Sequence, residues 1–168
     1  MAADNRKNVL KGGRTMSRDS IWSPSLTEAE LKTVREEQAK LLARDPRFSI
    51  HAYRFVMQAL RVATIKYHGA LSTKSGSGKL PETPDHVSGQ QLSYAAAEFA
   101  TQEYGYLAYR VLSHWGIRTT GDIGDLVYNM IEENHMQRSP ADNRADFDDV
   151  FDFKQVFEQE FRITLDED

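Results

Sequence analysis

The sequence predicts an all-α fold, a compact single domain of about six or seven short helices. Apolar residues recur at helical spacing in several separate segments, and capping residues stand directly before most of those segments. The chain has 168 residues, of which 40% are hydrophobic and 27% are charged. A chain of this length and composition is sufficient for one soluble domain with its own core.

The two ends of the chain carry opposite charge. Residues 1–20 contain five Lys or Arg against two Asp, whereas residues 139–168 contain ten acidic residues against three basic ones. Residues 1–25 lack a helical period, which predicts a mobile basic arm able to touch phosphate weakly. Two solubilising tails are the simpler interpretation of the charged ends.

The first two helices follow the arm. Thr27 and Glu30 form the capping box of a helix that Asp45-Pro46 ends. The second helix is predicted from Ile50 to Tyr67, with apolar residues on two adjoining faces. Such a helix is packed from two sides, so we expect it to be the spine of the fold.

An exposed loop and three further helices are predicted next. Residues 69–85 are rich in Ser, Gly, Lys and Thr and lack an apolar face, which is typical of a loop. Ser88 with Gln91 caps a helix that Gly105 ends. A short helix then ends at Trp115-Gly116, and Thr119 with Asp122 begins another. This pair resembles a helix-turn-helix, but residues 119–137 contain no Lys or Arg, which argues against sequence-specific DNA binding.

The acidic C-terminal part predicts two more helix starts. Ser139-Pro140 has the pattern of a cap followed by proline, and Asp152 with Gln155 has the spacing of a second cap. Residues 161–165 alternate, which is typical of a single short strand or of a fraying end. The helical domain is therefore predicted over 26–161, with an acidic tail at 162–168.

Two groups of residues are candidate sites. His86, Ser88 and Gly89 stand at a helix N-terminus, where backbone N–H groups favour an anion, and they form a ligand site if they converge with Trp115 and Arg118. A plain helix cap and a packed tryptophan are the simpler interpretation. The second group is a candidate docking surface for a basic partner, or otherwise a solvated acidic face: Asp146, Asp148, Asp149 and Asp152.

Several classes of chemistry receive no support from the sequence. The chain has no cysteine, which excludes disulfides and thiolate sites, and its five histidines lack the spacing of metal ligands. Neither a nucleophile elbow nor an S-x-x-K pair is present. We therefore predict no catalytic residue, no metal and no cofactor. No signal peptide or membrane span is visible, so a cytosolic protein is expected.

The combination of several short motifs resembles an uncharacterised family of short proteins largely restricted to planctomycete and verrucomicrobial bacteria. The matching stretches are Asp45-Pro46-Arg47-Phe48, Ala52-Tyr53, Phe55-Val56, His86-Val87-Ser88-Gly89, Gln91-Leu92, Trp115-Gly116-Ile117, Thr120, Asp122, Gly124-Asp125, Asp146-Phe147 and Val150-Phe151-Asp152-Phe153. Together they cover about residues 44–157. The family favours Asp-Phe-Gly-Glu where this chain has Asp122-Ile123-Gly124-Asp125. The resemblance implies a folded domain and no particular activity.

The function expected from the sequence is a non-enzymatic, cytosolic protein-interaction module. Its expected partner is another protein, with RNA a second candidate through the basic arm, as in a ribonucleoprotein assembly. The alternative is an anion-binding or small-molecule-binding domain, or a small enzyme, with its site near His86–Gly89 and Trp115–Arg118.

Overall fold

The computed structural model describes residues 27–68 and 86–160. These ranges form five α-helices: α1 (Glu28–Arg44), α2 (Ile50–His68), α3 (Gly89–Tyr104), α4 (Ala108–His114) and α5 (Thr120–Glu132). They also contain 3-10 turns at Gly105–Leu107 and Arg144–Phe147 and a π-helical turn at Gln155–Gln159. The all-α class is confirmed for this part of the chain, with fewer α-helices than predicted. No strand and no helix long and apolar enough to cross a membrane occurs in it.

Four predictions concern other parts of the sequence. The basic arm at 1–25, the loop at 69–85, the short strand at 161–165 and the acidic tail at 162–168 lie outside the described residues. The internal contacts of the chain divide it into two units, and the boundary lies between Glu36 and Glu37, within α1. In the first unit, the structure describes the opening turns of α1, from Thr27 to Glu36.

Three helices begin at the capping boxes found in the sequence. At α1, the backbone N–H of Thr27 donates to Glu30 Oε2 at 2.8 Å. Ser88 and Thr119 cap α3 and α5 in the same reciprocal way, each with the side chain of the third helical residue accepting from the cap. These boxes satisfy N–H groups that have no partner inside the helix. The predicted starts are therefore confirmed.

Helix α2 is the spine predicted from its two apolar faces. It contacts both α3 and α5. The Phe55 ring stacks on Phe99 of α3 with 5.6 Å between the ring centroids. The Tyr53 hydroxyl is buried and donates to the carbonyl oxygen of Leu41 at 3.2 Å while it accepts from Asn129 at 3.3 Å. The other buried residues of α2 are Ala52, Val56, Ala59 and Ala63, whose small side chains permit close helix packing.

The turn between α4 and α5 requires glycine. Gly116 has φ +99°, and a Cβ atom there would lie 2.2 Å from the carbonyl oxygen of Arg47. The neighbouring carbonyl oxygen of Trp115 accepts a hydrogen bond from the backbone of Ser49 at 3.0 Å. The segment before α2 therefore lies directly against this turn, and only a residue without a side chain fits between them.

The predicted helix at Ser139-Pro140 is wrong. Asp142 closes a single turn by accepting from the backbone of Ser139 at 2.6 Å, and the chain then forms the 3-10 turn at Arg144–Phe147. Asp152 does cap the next segment, at 2.7 Å from the backbone N of Gln155, but a π-helical turn follows. The segment is anchored by three buried phenylalanines, one at the 3-10 turn and two beside and within the π-helical turn, namely Phe147, Phe153 and Phe157.

Candidate functional site

The predicted anion site at the start of α3 is already in contact with acidic residues of the chain. His86 Nε2 lies 2.8 Å from Asp142 Oδ1. Gly89 is buried against Asp146, whose Cβ atom would lie 2.9 Å from an added Cβ. Ser88 accepts a hydrogen bond from the backbone of Gln91 at 3.2 Å. An external anion would have to compete with Asp142 for the histidine.

Trp115 and Arg118 have different surroundings. The Trp115 ring lies 5.6 Å from both the His51 ring, on which it stacks, and the Tyr104 ring, which it meets edge-on. The backbone N–H of Arg118 donates to Asp122 at 2.9 Å. His86 to Gly89 thus contact residues 142–146, whereas Trp115 and Arg118 contact α2, the end of α3 and the start of α5. The predicted convergence of the two groups in one pocket stays a prediction.

The acidic residues predicted to form a docking surface make several contacts within the chain. These residues are Asp146, Asp148, Asp149 and Asp152. Asp148 accepts from Arg144 at 2.6 Å, Asp152 caps Gln155, and Asp146 lies against Gly89. Asp149 is exposed at the left-handed backbone position φ +49°. Some of these carboxylates therefore stabilise the C-terminal segment itself. Docking of a basic partner on the four acidic residues stays a prediction.

Two arginines connect the start of α5 to the segments on either side of it. Asp125 accepts from Arg47 at 2.9 Å and from Arg144 at 2.8 Å. Arg47 also reaches Asp45 at 2.6 Å, and this hydrogen bond is the main reason that the pKa of Asp45 lies below its usual value. Each exposed ion pair contributes about 0–1 kcal/mol to the free energy of unfolding, and a carboxylate that is shared by two arginines contributes more than a single pair. The network has a structural role, because every charge in it has a partner in the chain.

A metal centre is not formed by the part of the chain that the structure describes. No group of three His, Asp or Glu side chains in 27–68 or 86–160 is arranged to hold a metal ion.

An open groove runs along one face of α3. Its volume is about 400 Å³. Five residues of α3 at positions i, i+3, i+4, i+7 and i+8 form one wall, and three residues of the C-terminal segment form the other: Tyr94, Ala97, Glu98, Thr101 and Gln102, then Phe151, Val156 and Glu160. Tyr94 is 50% exposed, and its ring lies 5.7 Å from that of Phe151. The groove therefore exposes aromatic and aliphatic surface on a rigid helix.

The charged groups that line this groove are both acidic. Glu98 accepts a hydrogen bond from Lys66 Nζ at 2.5 Å, and this bond raises the pKa of Lys66. Glu160 accepts from the side chain of Gln155 at 2.9 Å. Neither Lys nor Arg is among the lining residues that the structure describes. The groove thus combines an apolar floor with two carboxylates, one of which is paired with Lys66.

No family model, curated protein or solved structure matches the chain. The candidate site therefore depends on the geometry of this molecule. The resemblance to the planctomycete and verrucomicrobial family stays a prediction.

The groove was not predicted from the sequence, which indicated the cap and the end of α3 and no outer face for it. Tyr94, Ala97 and Thr101 recur at spacings of three and four residues and form a second, weaker stripe on the same helix. That stripe is interrupted by Glu98 and Gln102, so it has the composition of a solvent-exposed face. The stripe is recognisable as one wall of a groove only in the tertiary structure, where Phe151 and Val156 lie beside it.

Proposed function

We propose that the protein is a small non-enzymatic protein-interaction module that binds its partner in the groove between α3 and residues 151–160. The observation that carries this proposal is the exposure of Tyr94, which offers half of its surface to solvent beside Phe151. Exposed aromatic residues in a well-formed depression are typical anchor points of protein interfaces. The inner face of α3 packs on α2, so this wall of the groove is held by the core of the domain.

The shape of the groove favours a polypeptide over a small molecule. Its volume is within the range of ligand pockets. However, small-molecule pockets enclose most of their ligand, and this groove is open along the helix. An open surface of this kind suits side chains that project from a partner, with the backbone of the partner outside.

The anion-binding or small-molecule alternative near His86–Gly89 and Trp115–Arg118 is less well supported. Asp142 lies in hydrogen-bond contact with His86, and the Trp115 ring packs against His51 and Tyr104. We also propose a cytosolic location and an RNA contact through residues 1–25, both of which were expected from the sequence.

Copurification tests the proposal. The tagged full chain is recovered from a native lysate at low salt, with and without nuclease, and bound proteins are quantified by mass spectrometry. Tyr94→Ser is compared with Tyr106→Ser, because Tyr106 is also exposed, at 63%, but does not line the groove. A hot-spot tyrosine contributes on the order of 2 kcal/mol, so we expect Tyr94→Ser to lower partner recovery about 30-fold.

The outcomes are distinct. A stoichiometric protein that is recovered with the wild type and with Tyr106→Ser, but lost with Tyr94→Ser, supports docking in the groove. Equal recovery by both variants, loss of the protein on nuclease treatment, or an empty recovery overturns the proposal.

A further inference from the structure

We infer that the partner of the groove is a short amphipathic helix with an aliphatic stripe flanked by Lys or Arg. This inference rests on the proposed function and specifies the chemistry of the partner. The all-α fold and the exposed tyrosine do not by themselves specify a helical, basic partner. It follows from the dimensions, the side-chain sizes and the charge of the groove.

The dimensions of the α3 wall suit a helix. Residues 94–102 advance about 12 Å at 1.5 Å per residue, which is slightly more than two helical turns. Between the larger Tyr94 at one end and Gln102 at the other, this wall has the small residues Ala97 and Thr101, with the side chain of Glu98 between them in sequence. Small central residues let two helices approach to about 8–10 Å between their axes. An incoming helix would place about three aliphatic anchors, at i, i+3 or i+4, and i+7, along this wall.

The charge of the groove selects a basic partner. Glu98 and Glu160 stand on opposite walls, and no Lys or Arg is among the described lining residues, although Lys66, which is not a lining residue, pairs with Glu98 at 2.5 Å. In the chain beside the lining residues of the C-terminal segment, Asp149, Asp152 and Glu158 are exposed and acidic, against one exposed base, Lys154. Lys or Arg residues on one side of the aliphatic stripe would meet Glu160, and those on the other side would share Glu98 with Lys66, whereas an acidic helix would be repelled.

A second copy of the chain is a poorer occupant of the groove. A symmetric dimer brings the same patch of both copies together. In such a dimer the groove of one copy would face the groove of the other, so that the Glu98 and Glu160 carboxylates of both copies would lie in one interface. Like charges across an interface are destabilising.

Model peptides test the inference directly. The probe is a fluorescein-labelled, capped peptide of about 14 residues, with Leu or Ala along one helical face and Lys at the remaining positions. Two matched controls have Glu in place of every Lys, or the same composition in scrambled order so that no stripe forms. Binding to the full chain is measured by fluorescence anisotropy at several salt concentrations.

We expect saturable binding of the Lys peptide, with at least about tenfold weaker binding of both control peptides. Tyr94→Ser should weaken binding of the Lys peptide about tenfold or more, whereas Tyr106→Ser should leave it unchanged. Glu98→Gln combined with Glu160→Gln should weaken it and reduce its salt dependence, because the charges that the salt screens are gone.

Equal binding of the Glu peptide or of the scrambled peptide, or equal binding by Tyr94→Ser, overturns the inference. Self-association in analytical ultracentrifugation that Tyr94→Ser abolishes would identify a second copy as the occupant and also overturn it. The two proposals fail separately. A copurified protein that depends on Tyr94 while the Lys peptide shows no preference removes the basic helix and leaves the docking groove intact.

Discussion

Two glycines in the first turns of α5 provide a matched pair of substitutions that measures how tightly the C-terminal segment is packed. A Cβ atom at Gly124 would lie 2.8 Å from Cβ and 2.9 Å from Cγ of Phe147, which is buried. A Cβ atom at Gly121, three residues earlier in the same helix, meets nothing closer than 3.4 Å. Gly124→Ala therefore forces atoms apart, whereas Gly121→Ala fits.

The magnitude follows from two opposing terms. Replacing glycine by alanine within a helix contributes up to about 1 kcal/mol in favour of the folded state, and this term is similar for the two variants. Over-packing at Gly124 costs about 1–3 kcal/mol, because Phe147 and the turn that carries it have to move. The difference between the variants cancels the propensity term, so we expect Gly124→Ala to be about 1–3 kcal/mol less stable than Gly121→Ala.

Urea unfolding followed by far-UV circular dichroism measures this difference by linear extrapolation. The comparison requires equal m-values, since a changed slope would indicate a different unfolded or native state. If Gly124→Ala is as stable as Gly121→Ala or more stable, then the 3-10 turn at Arg144–Phe147 does not pack on α5 as described.

Two further perturbations test other parts of the fold. Gly116→Ala combines the strain of φ +99° with a Cβ 2.2 Å from a carbonyl oxygen, so we expect a loss of at least about 2 kcal/mol in urea unfolding, and wild-type stability would contradict this turn. Burial lowers the pKa of His135 despite Glu37 at 3.7 Å, so the unfolded chain binds the proton first as the pH falls below about 6.5. The free energy of unfolding should therefore decrease from pH 7 to 5, and His135→Gln should reduce this slope; an unchanged slope would refute the assignment.

Local signals were enough to predict the helix starts. The capping boxes at Thr27, Ser88 and Thr119 each satisfy N–H groups through side chains three residues apart, so their formation depends little on the rest of the fold. The same kind of signal failed at Ser139-Pro140. There the outcome was decided by the burial of Phe147 against Gly124, a contact between residues more than twenty positions apart.

The candidate residues were found more readily than their partners. His86 was identified from its place before α3, but its neighbour Asp142 lies in a segment whose path depends on the buried phenylalanines. In the same way, Tyr94 carries no distinctive sequence signal until Phe151 stands beside it. Pairings of this kind are tertiary, and a single sequence contains no local pattern that specifies them.

The construction of the groove suggests how it can accept a partner. One wall is α3, whose backbone is held by regular helical hydrogen bonds and whose inner face packs on α2. The other wall consists of Phe151, Val156 and Glu160, in a segment anchored by the buried Phe153 and Phe157, with Phe151 itself only partly buried. Phe151 stacks on Phe153 at 5.5 Å and also meets Tyr94, so the two walls contact each other through these rings. If a basic helix binds as proposed, its aliphatic side chains would pack on a regular helix on one side and on these stacked rings on the other.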